Sequence, residues 1–153
     1  MSQTQNAGCP YCEQGEALDS FACPVCALGC TRLYLFREQS YRGRCLLVLN
    51  RHAEEYSQLT REERVQIQED LYRVTSALED LCHPGKINLG VFGDTVRHFH
   101  IHVVPKYPGE LDWGGTFQMN PKQHELTQPE LEALARQLRQ AISEGTPEGT
   151  KSK

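Results

Sequence analysis

The sequence has no long hydrophobic run. Nowhere in its 153 residues does an apolar stretch approach the about 20 residues that carry a helix across a bilayer, and no membrane partner is expected. Its opening residues, MSQTQNAGCPYC, lack the charged-then-apolar pattern of an export signal, so a cytoplasmic location is the expectation. Positive charge is not in excess: the net charge is −4, which does not provide the broad basic face that nucleic acid requires. Small anionic ligands stay compatible, because they need only a local positive site. Internal repeats are missing too. What is there, 39% hydrophobic and 24% charged residues, is ordinary for one soluble domain with a core of its own.

Cysteine is abundant. The seven, Cys9, Cys12, Cys23, Cys26, Cys30, Cys45 and Cys82, are an odd number, and without an export signal a disulfide framework is the weaker reading. CPYC and CPVC give C-x2-C-x10-C-x2-C, the spacing of a four-cysteine zinc site built from Cys9, Cys12, Cys23 and Cys26. A redox pair is the competing use of CxxC, but the thioredoxin βαβ context is missing. Unliganded buried thiols are the plain alternative.

The first thirty residues, rich in Cys, Gly and Pro, read as loop around a possible metal site and as part of the same domain as the rest. RLYLF (32–36) and RCLLVL (44–49) read as two strands joined by a turn. A long helix follows, started by a capping box of Thr60 and Glu63 and striped by Ile67, Leu71, Val74, Leu78 and Leu81. INLGVFG (87–93) and HFHIHVV (98–104) read as two more strands, the second closed by Pro105. A glycine-rich stretch with Trp113 leads to a second capped helix, with Thr127, Glu130 and Pro129 in its first turn. The main domain spans 31–143, and 144–153 reads as a frayed tail. The order of elements favours an α+β fold, a sheet packed against helices.

RHFHIHVVPKY places histidines at 98, 100 and 102. On a strand they share one face, with Phe99, Ile101 and Val103 on the other. A helix would turn each by about 200° from the last and scatter them. Three readings compete: a solvated polar face of an edge strand, a pair of metal ligands, or one nucleophilic imidazole with neighbours that orient it and bind anionic oxygens. A neutral imidazole can attack phosphorus near pH 7, since its ordinary pKa is about 6.5.

HFHIHVV resembles the signature of the histidine triad (HIT) family, His-φ-His-φ-His-φ-φ with φ apolar. INLGVFGDTVRHFHIHVVPKY is also similar to the family's lead-in, and DWGG to a stretch in a bacterial branch resembling dinucleoside polyphosphate hydrolases. The likeness covers roughly residues 9–120. It implies a HIT-type antiparallel sheet packed with a long central helix and a C-terminal helix. It also implies nucleotidyl transfer or hydrolysis at an α-phosphate with no catalytic metal and no organic cofactor. By position, His100 would attack phosphorus and His102 would contact the phosphate. Asn88 would lie near the ribose and α-phosphate, and Thr95 near the leaving group.

The resemblance also offers a second zinc site, since zinc-binding members join an N-terminal CxxC to two histidines. Here those positions are Cys9, Cys12, His52 and His98, a closed structural site that competes with the four-cysteine set. Arg44 departs from the pattern, standing where many members carry a histidine; it could supply charge to a phosphate, as could Arg42, Arg97 and Lys106, or all could form a solvated rim. Trp113 and Phe117 could cover a nucleobase or pack in a core or interface. A homodimer is the family expectation. The leading function is therefore a nucleotide hydrolase or transferase acting on dinucleoside polyphosphates or nucleoside phosphoramidates. A non-catalytic nucleotide-binding protein on the same fold is the alternative, and a zinc-dependent hydrolase using the triad as ligands is a third.

Overall fold

The computed structural model describes residues 6–145, so nearly all of the tail expected at 144–153 lies outside the described residues. Five strands form one antiparallel sheet in the order β1-β2-β3-β5-β4: β1 Ala22–Ala27, β2 Thr31–Phe36, β3 Cys45–Leu49, β4 Lys86–Gly90 and β5 His100–Lys106. Two longer helices, α3 Arg61–Cys82 and α4 Gln128–Glu144, cover one face. Two four-residue helices, α1 Pro10–Glu13 and α2 Glu16–Asp19, lie near the start of the chain. The fold is α+β. Among the described residues no helix is long and apolar enough to cross a membrane.

Alternation along the strands sorts the two faces. Leu33, Leu35, Leu47, Ile101 and Val103 enter the core under α3 and α4, where they meet Ile67, Val74, Leu78, Leu131 and Leu138. Both capping boxes form, Thr60 with Glu63 and Thr127 with Glu130, each satisfying backbone N–H groups left open at the helix start. The helical stripe also carries Asp70, a fully buried carboxylate that accepts from the Gly29 N–H (2.9 Å), the Cys30 N–H (3.0 Å), the Thr31 hydroxyl (2.7 Å) and the Gln66 amide (2.9 Å). These bonds tie the β1–β2 turn to the middle of α3. The opposite face holds Tyr34, Leu46 and Val48, covered by Tyr11, Leu18 and Ala22 from the N-terminal segment.

Several expectations need correction. Of the first thirty residues, those described (6–30) are not all loop: they hold α1, α2 and β1, and β1 pairs with β2. Pro24 conceals the strand in the sequence, because proline is tolerated where β1 runs, on the sheet edge, beside an irregularity at Pro24/Cys26. β5 is not an edge strand, since it lies between β3 and β4, so the solvated-face reading of the histidines fails. β4 ends at Gly90 rather than 93, and β5 runs one residue past Pro105, which faces Ile87 across the ladder.

Candidate functional site

β5 and the residues just before it carry the histidines on the sheet face away from α3 and α4, and all three are buried. His100 Nδ1 lies 2.6 Å from the backbone carbonyl of His98. A carbonyl only accepts, so Nδ1 carries the proton and Nε2 keeps its lone pair. Burial lowers the His100 pKa, partly offset by that carbonyl, so the ring is neutral near pH 7. The rings of His100 and His102 sit 5.1 Å apart, and both line a cavity of about 260 Å³ walled by Tyr11, Phe36, Phe92 and Met119. Gly90 faces His102 across the ladder, and a side chain there would collide with Phe92 and Phe117, which stand against the His102 ring at 5.9 and 6.1 Å.

Arg44 is fully buried beside His102. Its Nη2 is 3.4 Å from His102 Nδ1, its Nη1 donates to the Gln118 carbonyl at 3.4 Å, and its guanidinium stacks 4.2 Å from the centre of the Phe36 ring. Among the described residues its Nε has no hydrogen-bond partner. Burial pulls the Arg44 pKa down to about 10, with Glu38 and Tyr41 opposing the shift, so the group stays charged at neutral pH. Burial first, then repulsion from His100 when it is protonated and from the Arg44 charge, lower the His102 pKa to about 3. A neutral His102 that accepts at Nδ1 carries its proton on Nε2. The pair of histidines therefore offers one lone pair, at His100, and one N–H, at His102.

His98 faces a different group. Its Nε2 donates to the Leu49 carbonyl at 2.8 Å, which leaves Nδ1 as an acceptor 3.3 Å from Cys9 Sγ and 3.5 Å from Cys12 Sγ. Cys12 Sγ also lies 3.4 Å from His52 Nδ1. One donor atom from each of Cys9, Cys12, His52 and His98 falls within 4.8 Å of the others. A tetrahedral zinc with ordinary Zn–S and Zn–N bonds sets nitrogen and sulfur about 3.6 Å apart, close to what is found. Pro10 starts α1 directly after Cys9, and one helical turn brings Cys12 to the same side. The four-cysteine set is not assembled. Cys23 and Cys26 pack with the core under the helices, whereas Cys9 belongs to the cluster on the other side of the sheet. Among the described residues the triad itself is not such a group.

Thr95 lies exposed in the loop before the triad and lines the His100 cavity. Asn88 does not line that cavity; it lines a second recess with Lys86, Lys106 and Trp113. Arg97 pairs with Glu54 at 3.1 Å. Tyr11, not singled out from the sequence, has its ring 5.4 Å from that of His98 and 5.0 Å from that of His100; its place beside Cys12 in CPYC was the available signal.

A HIT domain model matches residues 32–109, half of the chain and all of the triad. The chain belongs to the histidine triad family. Solved HIT structures share the fold. A histidine triad protein from Sinorhizobium meliloti superposes with a TM-score of 0.75 at 23% identity over 83% of this chain and 94% of that one. A zinc-bound histidine triad family protein from Mycobacterium smegmatis gives 0.64 at 21% identity, over 89% and 94%. The diadenosine triphosphate hydrolase of Plasmodium falciparum, in complex with cyclomarin A, gives 0.63 at 17%, over 79% and 76%. At these identities the HIT neighbours establish the fold alone. No curated protein matches the sequence.

Proposed function

We propose that this protein hydrolyses or transfers nucleoside 5′-phospho groups through a covalent nucleotidyl-histidine at His100. The observation that carries the reading is the 2.6 Å contact of His100 Nδ1 with the His98 carbonyl, which leaves the Nε2 lone pair free. In this reading Nε2 attacks the α-phosphorus while the bond to the leaving group breaks, its electron pair departing with the leaving group. Water then attacks the same phosphorus, and the P–N bond returns its pair to His100. His102 Nε2–H donates to a phosphate oxygen whose negative charge grows in the transition state. Thr95 borders the leaving group from the loop. Asn88, on β4, lines the neighbouring recess rather than the His100 cavity, so it would meet the substrate beyond the α-phosphate, on the leaving-group side. Dinucleoside polyphosphates are the proposed substrate class, supported by the similarity in fold to a diadenosine triphosphate hydrolase, and nucleoside phosphoramidates fit the same chemistry.

Cys9, Cys12, His52 and His98 are the proposed ligands of one structural zinc, supported by their geometry and by a zinc-bound structural neighbour. The ion would pin the N-terminal segment to the triad strand and take no part in the reaction. A homodimer is proposed as well. β4 is an edge of the sheet, and Leu89 and Val91 stand exposed on and just beyond it.

The deciding experiment is turnover of a diadenosine polyphosphate and of adenosine 5′-phosphoramidate by wild type and His100→Asn. Wild-type turnover, loss of at least about 10³-fold in a folded variant and a trapped nucleotidyl adduct on His100 are expected. A folded variant as active as wild type, or a wild type inert on both substrates, overturns the reading.

A further inference from the structure

The sheet face that carries the triad has a second recess, about 310 Å³, farther along β4 and β5. Lys86 and Lys106 face each other across these strands, and the next rungs of the same face bring Asn88 opposite Val104 and Gly90 opposite His102. Two like charges in direct cross-strand register repel. Among the described residues neither lysine has a carboxylate within 4 Å. Lys106 is nearly fully buried, and among the described residues its ammonium donates to a single partner, the Gly115 carbonyl at 2.5 Å. An ammonium has three donors, so a buried one with one acceptor is underused.

The rest of the recess is built for a flat group beside a charged one. Trp113 is 44% exposed. One edge of its ring lies against the backbone at Gly85, where an added Cβ would stand 2.8 Å from the indole and 2.7 Å from Pro108. Gly85 therefore lets the indole seat on the chain, with Pro108 beside it, as a platform with part of its surface free. Asn88 adds a side-chain amide to the lining. Two cations, an amide and a free aromatic surface, with no acidic residue lining the recess, suit a polyphosphate chain that ends in a planar base.

We propose that this recess is a subsite for the departing part of the substrate, binding the distal phosphates at Lys86 and Lys106 and a base or other planar group on Trp113. The proposal rests on the reading of His100 as the residue attacked through, and it extends that reading to the leaving group. Lys106 stands six residues beyond the attacking His100 on β5, about 20 Å of strand, and four beyond His102, about 13 Å. A single phosphate held at His100 does not reach the lysines, whereas several linked phosphates do. The subsite therefore favours substrates with long anionic leaving groups over those with a small amine.

Trp113 is the only tryptophan, so its fluorescence reports on this recess alone. The test titrates the His100→Asn protein with inorganic tripolyphosphate, ATP and AMP. Tripolyphosphate and ATP are expected to change the emission saturably, with AMP binding at least about tenfold more weakly. Lys86→Gln, at an exposed position where folding is secure, is expected to weaken tripolyphosphate about tenfold, and Lys106→Gln at least as much. Trp113→Phe, followed by calorimetry, is expected to weaken ATP more than tripolyphosphate, which separates the planar group from the phosphates. In the wild type, Lys86→Gln is expected to raise KM for a diadenosine polyphosphate and leave KM for the phosphoramidate unchanged. No saturable response to tripolyphosphate or ATP, or a response equal in Lys86→Gln, overturns the subsite. The titration needs no turnover, so an inert wild type would count against the His100 reading while leaving this measurement intact.

Discussion

Arg44 Nη2 lies 3.4 Å from Nδ1 of His102, with the guanidinium wholly inside the protein. Arginine only donates, so this contact sets the direction of the hydrogen bond and with it the tautomer of His102. Burial first, and the charge of this neighbour in addition, oppose a positive charge on the imidazole.

His102 is therefore expected to show nitrogen NMR shifts of a neutral ring protonated at Nε2, unchanged from pH 8 down to about pH 5. Arg44→Met, close in volume and uncharged, is expected to stay folded, to move the His102 pKa toward 6.5 and to cut turnover by about tenfold or more. A His102 that already titrates near 6.5 in the wild type would show that Arg44 does not set its state.

Acid stability follows from the same burial. The His102 pKa falls from 6.5 in the unfolded chain to about 3 in the fold, so between these values the unfolded chain binds a proton that the native state refuses. Its contribution is present above pH 6.5 and is lost as pH drops through about 3. Denaturant midpoints measured from pH 7 to pH 4 are expected to fall, and His102→Gln to flatten the slope. An equal slope in the variant would assign the acid loss to other groups.

Metal removal separates the two cysteine pairs. One zinc per chain is expected by elemental analysis, and a chelator is expected to lower Tm by roughly 5–10 °C. Cys12→Ser or His52→Ala should abolish the bound zinc. Cys23→Ser and Cys26→Ser should retain it, because their thiols lie with the core beneath the helices. Loss of zinc on mutating the second pair would move the site.

Asp70 is the buried charge on which the β1–β2 turn depends. Asp70→Ala leaves the N–H groups of Gly29 and Cys30 and the Thr31 hydroxyl without their acceptor, and a loss of about 3 kcal/mol or more is expected from chemical denaturation. Asp70→Asn keeps the shape, removes the charge and should cost less. A loss under about 1 kcal/mol in the alanine variant would mean that water replaces the carboxylate at little cost.

Local chemistry made much of this protein legible in its sequence. Capping boxes at Thr60 and Thr127 marked both long helices, because the side chains that satisfy a helix start sit three residues apart in the chain. The two-residue spacing of His98, His100 and His102 put them on one side of an extended segment. Where local signals conflicted with placement, the reading failed. Pro24 hid β1, and a solvated edge stayed open as an alternative for β5 because nothing local states which strands flank it.

Distance in the chain marks the limit. The three histidines differ only through partners far away or through the backbone: Cys9 and Leu49 for His98, a carbonyl for His100, and Arg44 for His102. The sequence by itself determined the helices, most strands and the register of the triad, since these depend on neighbours within a few residues. Only the tertiary structure decided which cysteines join the histidines, which nitrogen of each ring holds a proton, and that Lys86 and Lys106 stand face to face. Those outcomes depend on burial and on hydrogen-bond partners that only the folded sheet brings within reach.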